Sequence, residues 1–591
     1  MYFTSWGSAA VLSQSIMGQG FTLGKVEQWG RSPLLVIVLA VTLFPALPAP
    51  AQTLSQRGMV TAAQPAAAKA GRDILKAGGN AVDAAVATAL MIAVVEPYAA
   101  GLGGGGFALV YHAQSQTIRA LDFRERAPLQ ATPTMYLNEK GEVIPRASLD
   151  GVLTAGTPGT VAGLAALHQR YGQLPWSQVV TPAIQAAQQG FAVTPSYRQW
   201  ATMRQAVLRQ DATAARIFLR DGQVPPLGTV IQQPDLAKTL ATIARNPRSF
   251  YEGWIARAIA DFMVQQGGKM TQEDLRTYRP VWREPICGTY RAFQVCSMPP
   301  PSSGGVTLVQ MLNLWQLLPP APIASDRGHY LASVMQIAYA DRARYLGDSD
   351  FVPVPVAALT SRHYAQQRVT EILPRRARPQ SAVSAATPIQ LAESDNTSHL
   401  NVVDAQGNAV SLTFTINGPF GAGVVVPQTG ILLNNEMDDF AIAPNQPNLF
   451  GVVGIQSDKT PLANGIEPGK RPLSSMSPTI VLKDNRLNMV LGSPGGSRII
   501  STVLQLFLNV VDLGQDAATA IASPRIHQQW TPDILFVEPT LPDAWIQTWR
   551  QWGYRVEQTR PWGNASLIRV LEHGQLEGAA DPRGEGAAIG W

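Results

Sequence analysis

A change of texture at residue 397 constrains this 591-residue chain more than any other feature. From about 155 to 280 the sequence is Gln/Ala-rich and reads as amphipathic helix. Residues 372–396 are rich in Pro, Ala, Ser and Arg and read as an exposed, extended linker. Beyond it the period becomes two: an alternating segment from His399 to Asp404, a turn at Gln406-Gly407-Asn408, and a second strand over 409–416. Further strands are expected at 430–434, 478–483, 487–492, 566–571 and 576–580, with a helix from Ile499 to Val511. The polar lead-in Glu393-Ser-Asp-Asn396 delivers Thr397 to the very start of the first strand. Inside a chain such a threonine is inert. Once the bond before it is cut, its own α-amine lies beside its hydroxyl, and one residue holds both nucleophile and base.

The rest of the sequence fits a chain with a large core. Apolar residues make up 46% and charged residues 15%, and a net charge of +5 is too small at this length to suggest a nucleic-acid partner. Arg31, an apolar run from Leu34 to about Leu47, and the small residues of Ala49-Pro50-Ala51 form the three parts of a secretory signal, with cleavage expected after Ala51. The run falls short of the roughly 20 residues that span a bilayer, and Pro45 and Pro48 interrupt it. A retained anchor is the rival reading, and translation starting at Met17 would give a signal of ordinary length. The protein is therefore expected to be exported, periplasmic or secreted. Its two cysteines, Cys287 and Cys296, flank a tight turn and could form a disulfide across a hairpin or stay as buried thiols.

Residues 59–97 read as two helices, one from Pro65 to Lys76 and one capped by Asn80 and running through Val94. The Gly-rich corner Gly101-Leu-Gly-Gly-Gly-Gly-Phe107 precedes a strand rather than a helix, so it reads as close backbone packing and not as a phosphate cradle. Strands from Phe107 to His112 and from Thr117 to Phe123 then deliver Arg124. Helices are expected over Val306–Leu318 and His329–Tyr345. The seven histidines show no metal-ligand spacing, and His399 reads as a strand residue. Ser493 lacks the spacing of a serine-hydrolase elbow.

Five longer strings stand in order: Asp122-Phe-Arg-Glu125, Met298-Pro-Pro-Pro-Ser-Ser-Gly-Gly305, Leu432-Leu-Asn-Asn-Glu-Met-Asp-Asp-Phe440, Arg471-Pro-Leu-Ser-Ser-Met-Ser-Pro478 and Gly492-Ser-Pro-Gly-Gly-Ser497. With the Asn396-Thr397 junction they resemble the γ-glutamyltranspeptidases, a family of N-terminal nucleophile hydrolases, from about Gly58 to the C-terminus. The resemblance implies an α+β fold, the four-layer αββα sandwich of that class. It implies a signal peptide over 1–51, a large subunit over 52–396 and a small catalytic subunit over 397–591, the last two cleaved from one precursor and forming a heterodimer. Thr397 would cut the bond after Asn396 and then serve as catalytic nucleophile, with Thr415 hydrogen-bonded to it. Gly495 and Gly496 would form the oxyanion hole, where glycine lets backbone N–H groups approach.

A γ-glutamyl group ends in an amino acid, so its recognition needs opposite charges. Arg124 matches the residue that grips the α-carboxylate, with Ser474 and Ser475 adding hydroxyl donors. Asn417, Glu436 and Asp439 match the holders of the α-ammonium, and residues 441–451 match a lid with Phe450 as an aromatic gate. Two departures are Gly418-Pro419 after Asn417, where bulkier residues are common, and Glu436, where bacterial relatives often carry Gln. The implied donors are glutathione and other γ-glutamyl compounds, and the acceptors are amino acids, peptides or water; no cofactor and no metal is implied. Two rivals stand beside this reading: an acylase for glutaryl or aliphatic acyl amides, and an unprocessed, non-catalytic exported homologue.

Overall fold

The computed structural model describes residues 52–378, 396–456 and 462–591. The expected signal segment and residues 379–395 of the expected linker lie outside the described residues. Two seven-stranded sheets, antiparallel throughout, carry the structure. In the first the strand order is Ala587–Gly590, Met59–Ala62, Ser398–Val403, Ala409–Thr415, Gly105–His112, Thr117–Phe123 and Val281–Arg283. In the second it is Thr53–Ser55, Leu576–Ala580, Ser566–Val570, Arg486–Gly492, Thr479–Lys483, Phe293–Ser297 and Ile286–Tyr290. Both sheets contain strands from before and after position 396, so neither part of the chain owns a core.

Side-chain alternation assigns the faces of the first sheet. Val60, Ala62, Ala108, Val110, Leu400, Val402, Val410 and Leu412 pack against the helices Pro65–Lys76, Ala81–Val95, Trp176–Gln189 and Pro234–Arg245. Met59, Phe107, Leu109 and Val403 point the other way and join the core of the second sheet, whose outer side is covered by the helices Gly304–Trp315, Ala324–Tyr345 and Arg498–Leu513. The result is a four-layer αββα sandwich. All 15 residues of Ala81–Val95 are buried, and its start is fixed by a capping box in which Asn80 accepts from Val82 and Asp83 while Asp83 accepts from the Asn80 N–H.

Several elements differ from the sequence reading. Met59–Ala62 is a strand of the first sheet, next to its edge strand Ala587–Gly590, not part of a helix. It is buried on both faces, so it lacks the alternation that marks a half-exposed strand. The strand expected at 430–434 shrinks to Ile431–Leu432, paired with Val425–Val426 in a separate ribbon. The helix expected over 306–318 runs from Gly304 to Trp315, and the one expected from His329 starts at Ala324. Cys287 and Cys296 lie directly opposite one another on adjacent strands and are joined by a disulfide.

The Gly-rich corner brings backbones together. A Cβ at Gly104 would lie 1.9 Å from the Thr415 carbonyl oxygen, one at Gly103 2.1 Å from that of Leu432, and one at Gly106 2.4 Å from that of Thr413. Since Thr415 ends the strand beside Thr397, this contact sets the floor of the site. Gly104→Ala is expected to lower stability by about 2–3 kcal/mol. Thermal melting checks this, and the fraction of chain cut at Thr397 is expected to fall in parallel.

Candidate active site

Ser398 pairs with Phe414 and His399 with Thr413, so one step along this register Thr397 stands opposite Thr415. The two hydroxyl oxygens are 3.4 Å apart, and the Thr397 hydroxyl also contacts the carbonyl oxygen of Asn396. The Thr415 oxygen accepts from the Asn417 N–H at 2.9 Å, which directs the backbone at the next turn. Behind Thr397 the inward side chains of the hairpin are polar. His399 bonds Thr413 at 2.8 Å and Asn401 at 3.0 Å, and Asn401 donates at 2.9 Å to Ser566 on the second sheet. Burial pushes the His399 imidazole down to about 3, so the ring is neutral and tuned for packing and hydrogen bonding. Gly492 gives it room, because a Cβ there would meet the ring at 2.2 Å.

The turn after Gly492 approaches the same spot from the second sheet. Gly495 and Gly496 have φ of 131° and 54°, and their carbonyls accept from Arg498 and Ile499 as the helix Arg498–Leu513 begins. The positive end of that helix therefore faces the turn. Gly496 lines the cleft beside Thr397 and Thr415, and Gly495 lies one residue behind it. A Cβ on Gly496 would strike the Phe450 ring at 2.2 Å. Phe450 belongs to a loop latched by charge: Leu449 N–H donates to Asp438 at 2.7 Å, and Asn448 donates to Asp439 at 3.3 Å. Asp438 also accepts from Ser148 at 2.6 Å, and burial lifts its carboxyl to about 7.

The far wall of the cleft is a buried charge cluster. Arg124 pairs with both Glu436 and Asp439, and its Nη1 lies 3.7 Å from Glu125. Its Nε donates to the Pro472 carbonyl at 3.2 Å, and its own N–H is held by Asp122 at 3.0 Å. Neither oxygen of Glu125 nor Oε2 of Glu436 receives a hydrogen bond from the protein. Burial raises the Glu125 carboxyl to about 7, Glu436 well above the usual carboxylate range, and Asp439 in the same direction against the pull of Arg124. Three acids around one guanidinium thus retain a proton more readily than any would in water.

Asn417 sits at φ 71°, a conformation Asn tolerates better than most residues. Its Nδ2 donates to the Asn435 carbonyl at 2.9 Å, which fixes the amide and leaves Oδ1 as the uncommitted acceptor. Ser474 accepts from the Met476 N–H at 3.1 Å, and Ser302 and Ser303 of the Pro-rich loop brace this segment by donating to the carbonyls of Met476 and Ser474 at 2.7 Å. One small cleft, with about 20 Å³ of free volume, is lined by Thr397, Thr415, Asn417, Arg124, Glu436, Asp439, Ser474, Ser475, Gly496 and Phe450. Sequence reasoning named all ten. It missed Arg342, which lines the same cleft, and Glu125, quoted only as part of a motif. Arg342 carries no local signal, being one of several charged residues in a long helix. A larger groove of about 860 Å³, lined by Tyr290, Trp315, Trp545 and Trp549, holds none of the motif residues, so chemistry rather than size marks the site. Among the described residues no cluster of three His, Cys, Asp or Glu could hold a metal ion.

The family model for gamma-glutamyltranspeptidase matches residues 67–591. The glutathione hydrolase proenzyme of Escherichia coli (strain K12) is 44% identical over 536 residues, covering 90% of this chain and 91% of its own. The structure is similar to a cephalosporin acylase from Bacillus halodurans, at 30% identity and a TM-score of 0.81 over 94% of this chain and 99% of that one. It is also similar to a chain of Helicobacter pylori gamma-glutamyltranspeptidase, at 40% identity and a TM-score of 0.53 over 54% of this chain and 93% of that one. Matched along nearly its whole length beyond residue 66, the chain belongs to the gamma-glutamyltranspeptidase family.

Proposed function

We propose that this protein is a self-processing γ-glutamyltransferase and glutathione hydrolase that works through an ester on Thr397. The observation that carries this reading is the convergence of a strand-opening threonine, the glycine turn at Gly496 and a buried Arg/Glu/Asp cluster on one cleft. In the uncut chain the Thr397 hydroxyl would add to the Asn396 carbonyl carbon, the peptide nitrogen would leave as the acyl chain moves to oxygen, and water would cleave that ester. The pieces, 52–396 and 397–591, would stay together because each sheet is built from both.

In turnover the new α-amine, with an ordinary pKa of about 7.7–8.0, takes the hydroxyl proton as Oγ1 adds to the γ-carbonyl. Thr415 hydrogen-bonds the nucleophile. The N–H groups of Gly495 and Gly496 receive the developing alkoxide, a contribution of about 2.7–4 kcal/mol per donor in comparable sites. The amine departs with a proton, and water, an amino acid or a peptide then takes the acyl group from Thr397.

The electrostatics support an amino-acid head group. Arg124 is already neutralised by Glu436 and Asp439, so a substrate with one charge would strip one partner and leave the other unpaired. A γ-glutamyl head group brings both: its α-carboxylate takes Arg124 with Ser474 and Ser475, and its α-ammonium takes Glu436, Asp439 and the free Oδ1 of Asn417. Glutaryl groups lack the ammonium. The disulfide and the apolar N-terminal run support export to an oxidising compartment.

Three outcomes test this reading. On a denaturing gel, purified protein is expected to give bands of about 38 and about 21 kDa, at roughly 110 Da per residue, while Thr397→Ala stays whole and inactive. A Thr397→Ala chain that still splits at this junction sinks the nucleophile assignment. Against matched chromogenic anilides, the γ-glutamyl compound should exceed the glutaryl one in kcat/KM by at least about 100-fold, since two buried acids would otherwise lose their cation. The reverse preference would make the protein an acylase. The pH dependence follows from the raised carboxyls. As pH falls through about 7, Glu125 gains a proton and the cluster loses negative charge, so KM for the γ-glutamyl donor should rise severalfold between about pH 8 and about pH 6. A KM that stays level or falls over that range contradicts a role for Glu125's charge in holding the donor.

A further inference from the structure

We propose that Arg342 is a positioning residue for the substrate's α-carboxylate: it fixes the Ser475 hydroxyl as a donor into the cleft and sets a second buried positive charge behind it. The inference rests on the γ-glutamyl reading above. Arg342 lies one turn from the end of the helix Ala324–Tyr345 and is only 5% exposed. Its Nε donates to Ser303 Oγ and its Nη2 to Ser475 Oγ, each at 3.0 Å. A guanidinium has donors only, so both serine oxygens must accept from it and each hydroxyl proton must turn elsewhere. Ser303 sends its proton to the Ser474 carbonyl at 2.7 Å. Ser475 donates to no residue among those described, and it lines the cleft with Thr397 and Arg124. Its proton is therefore available to an incoming oxygen.

The charge argument points the same way. Among the described residues no carboxylate lies within ion-pair distance of Arg342; the ionisable groups acting on it are Tyr339, whose phenol is neutral near pH 7, Asp439 and, unfavourably, Arg124. Asp439 is already engaged by Arg124, and the neighbouring Asp341 is taken by Arg368 at 2.7 Å and by Gln310. A buried guanidinium without a counter-ion carries an uncompensated desolvation cost. A carboxylate seated on Ser475 would relieve that cost; a neutral group there would not. The fork geometry matters as well, because lysine can reach one hydroxyl but cannot hold both in fixed directions.

The test is calorimetric binding of L-glutamate and of 4-aminobutyrate, which lacks the α-carboxylate, to the processed protein and to Arg342→Gln, Ser475→Ala and the double variant. Arg342→Gln is expected to weaken glutamate binding roughly tenfold and 4-aminobutyrate by less than about twofold. With Ser475→Ala already present, adding Arg342→Gln should cost roughly threefold instead of tenfold, because the hydroxyl is gone and only the through-space charge remains to be lost. Equal losses for the two ligands, or an undiminished loss in the Ser475→Ala background, overturn the proposal. If Arg342→Gln does not mature, Arg342→Lys should give the same ligand-selective and Ser475-dependent loss at roughly threefold. Failure of both to mature would make Arg342 structural only and would also overturn the proposal. Wild-type protein that binds glutamate in this pattern but cleaves no γ-glutamyl anilide would sink the proposed function and leave the role of Arg342 standing. Wild-type binding of glutamate no tighter than of 4-aminobutyrate would sink the carboxylate site itself.

Discussion

The antiparallel ladder between Ser398–Val403 and Ala409–Thr415 meets two demands that ordinarily oppose each other: it sits in the middle of a buried sheet, yet its first residue opens on a cleft. Both outer edges of the hairpin are covered by strands that precede residue 396, Met59–Ala62 on one side and Gly105–His112 on the other. A break before Thr397 would therefore expose no sheet edge and free no strand. Every ladder hydrogen bond that holds Thr397 in place would survive such a cut, so the proposed processing could change the chain covalently without changing its shape.

On this floor the second sheet adds charge-handling groups through loops that leave its ends at the same place. The strand ending at Gly492 feeds the glycine turn, and the segment before Thr479 supplies Ser474 and Ser475. The seam between the sheets is polar near Thr397, with His399, Thr413, Asn401 and Ser566 bonded to one another, and apolar farther away. A neutral imidazole at the seam gives a rigid packed group and places no charge behind Thr397. The cleft pairs Arg124 with Glu436 and Asp439, so on the proposed reading a ligand enters at little electrostatic cost only if it replaces both ends of that internal pair.

Much of this was legible in the chain because the relevant signals are local. The N-cap at Asn80, the strand Thr117–Phe123, the hairpin after Thr397 and the close-packed glycines before Phe107 each follow from periodicity, cap chemistry or the absence of a Cβ. What escaped was non-local. Met59–Ala62 has no alternation to announce it, since neighbours cover both its faces. Arg342 lies far in sequence from Ser475, and only the docking of the helix Ala324–Tyr345 makes them neighbours.

The sequence by itself determined the chemistry on offer: a threonine that can open a strand, glycines that leave backbone N–H groups bare, and acids and a guanidinium in recognisable strings. Those are properties of residue type and short spacing. Only the tertiary structure decided how the charges balance. Burial turned Glu125 and Glu436 into proton-retaining acids, paired Arg124 with the groups expected to serve the opposite end of a substrate, and set Arg342 behind Ser475. The physical reason is that a pKa or an ion pair depends on what surrounds a group in three dimensions, and those surroundings come from segments hundreds of residues apart.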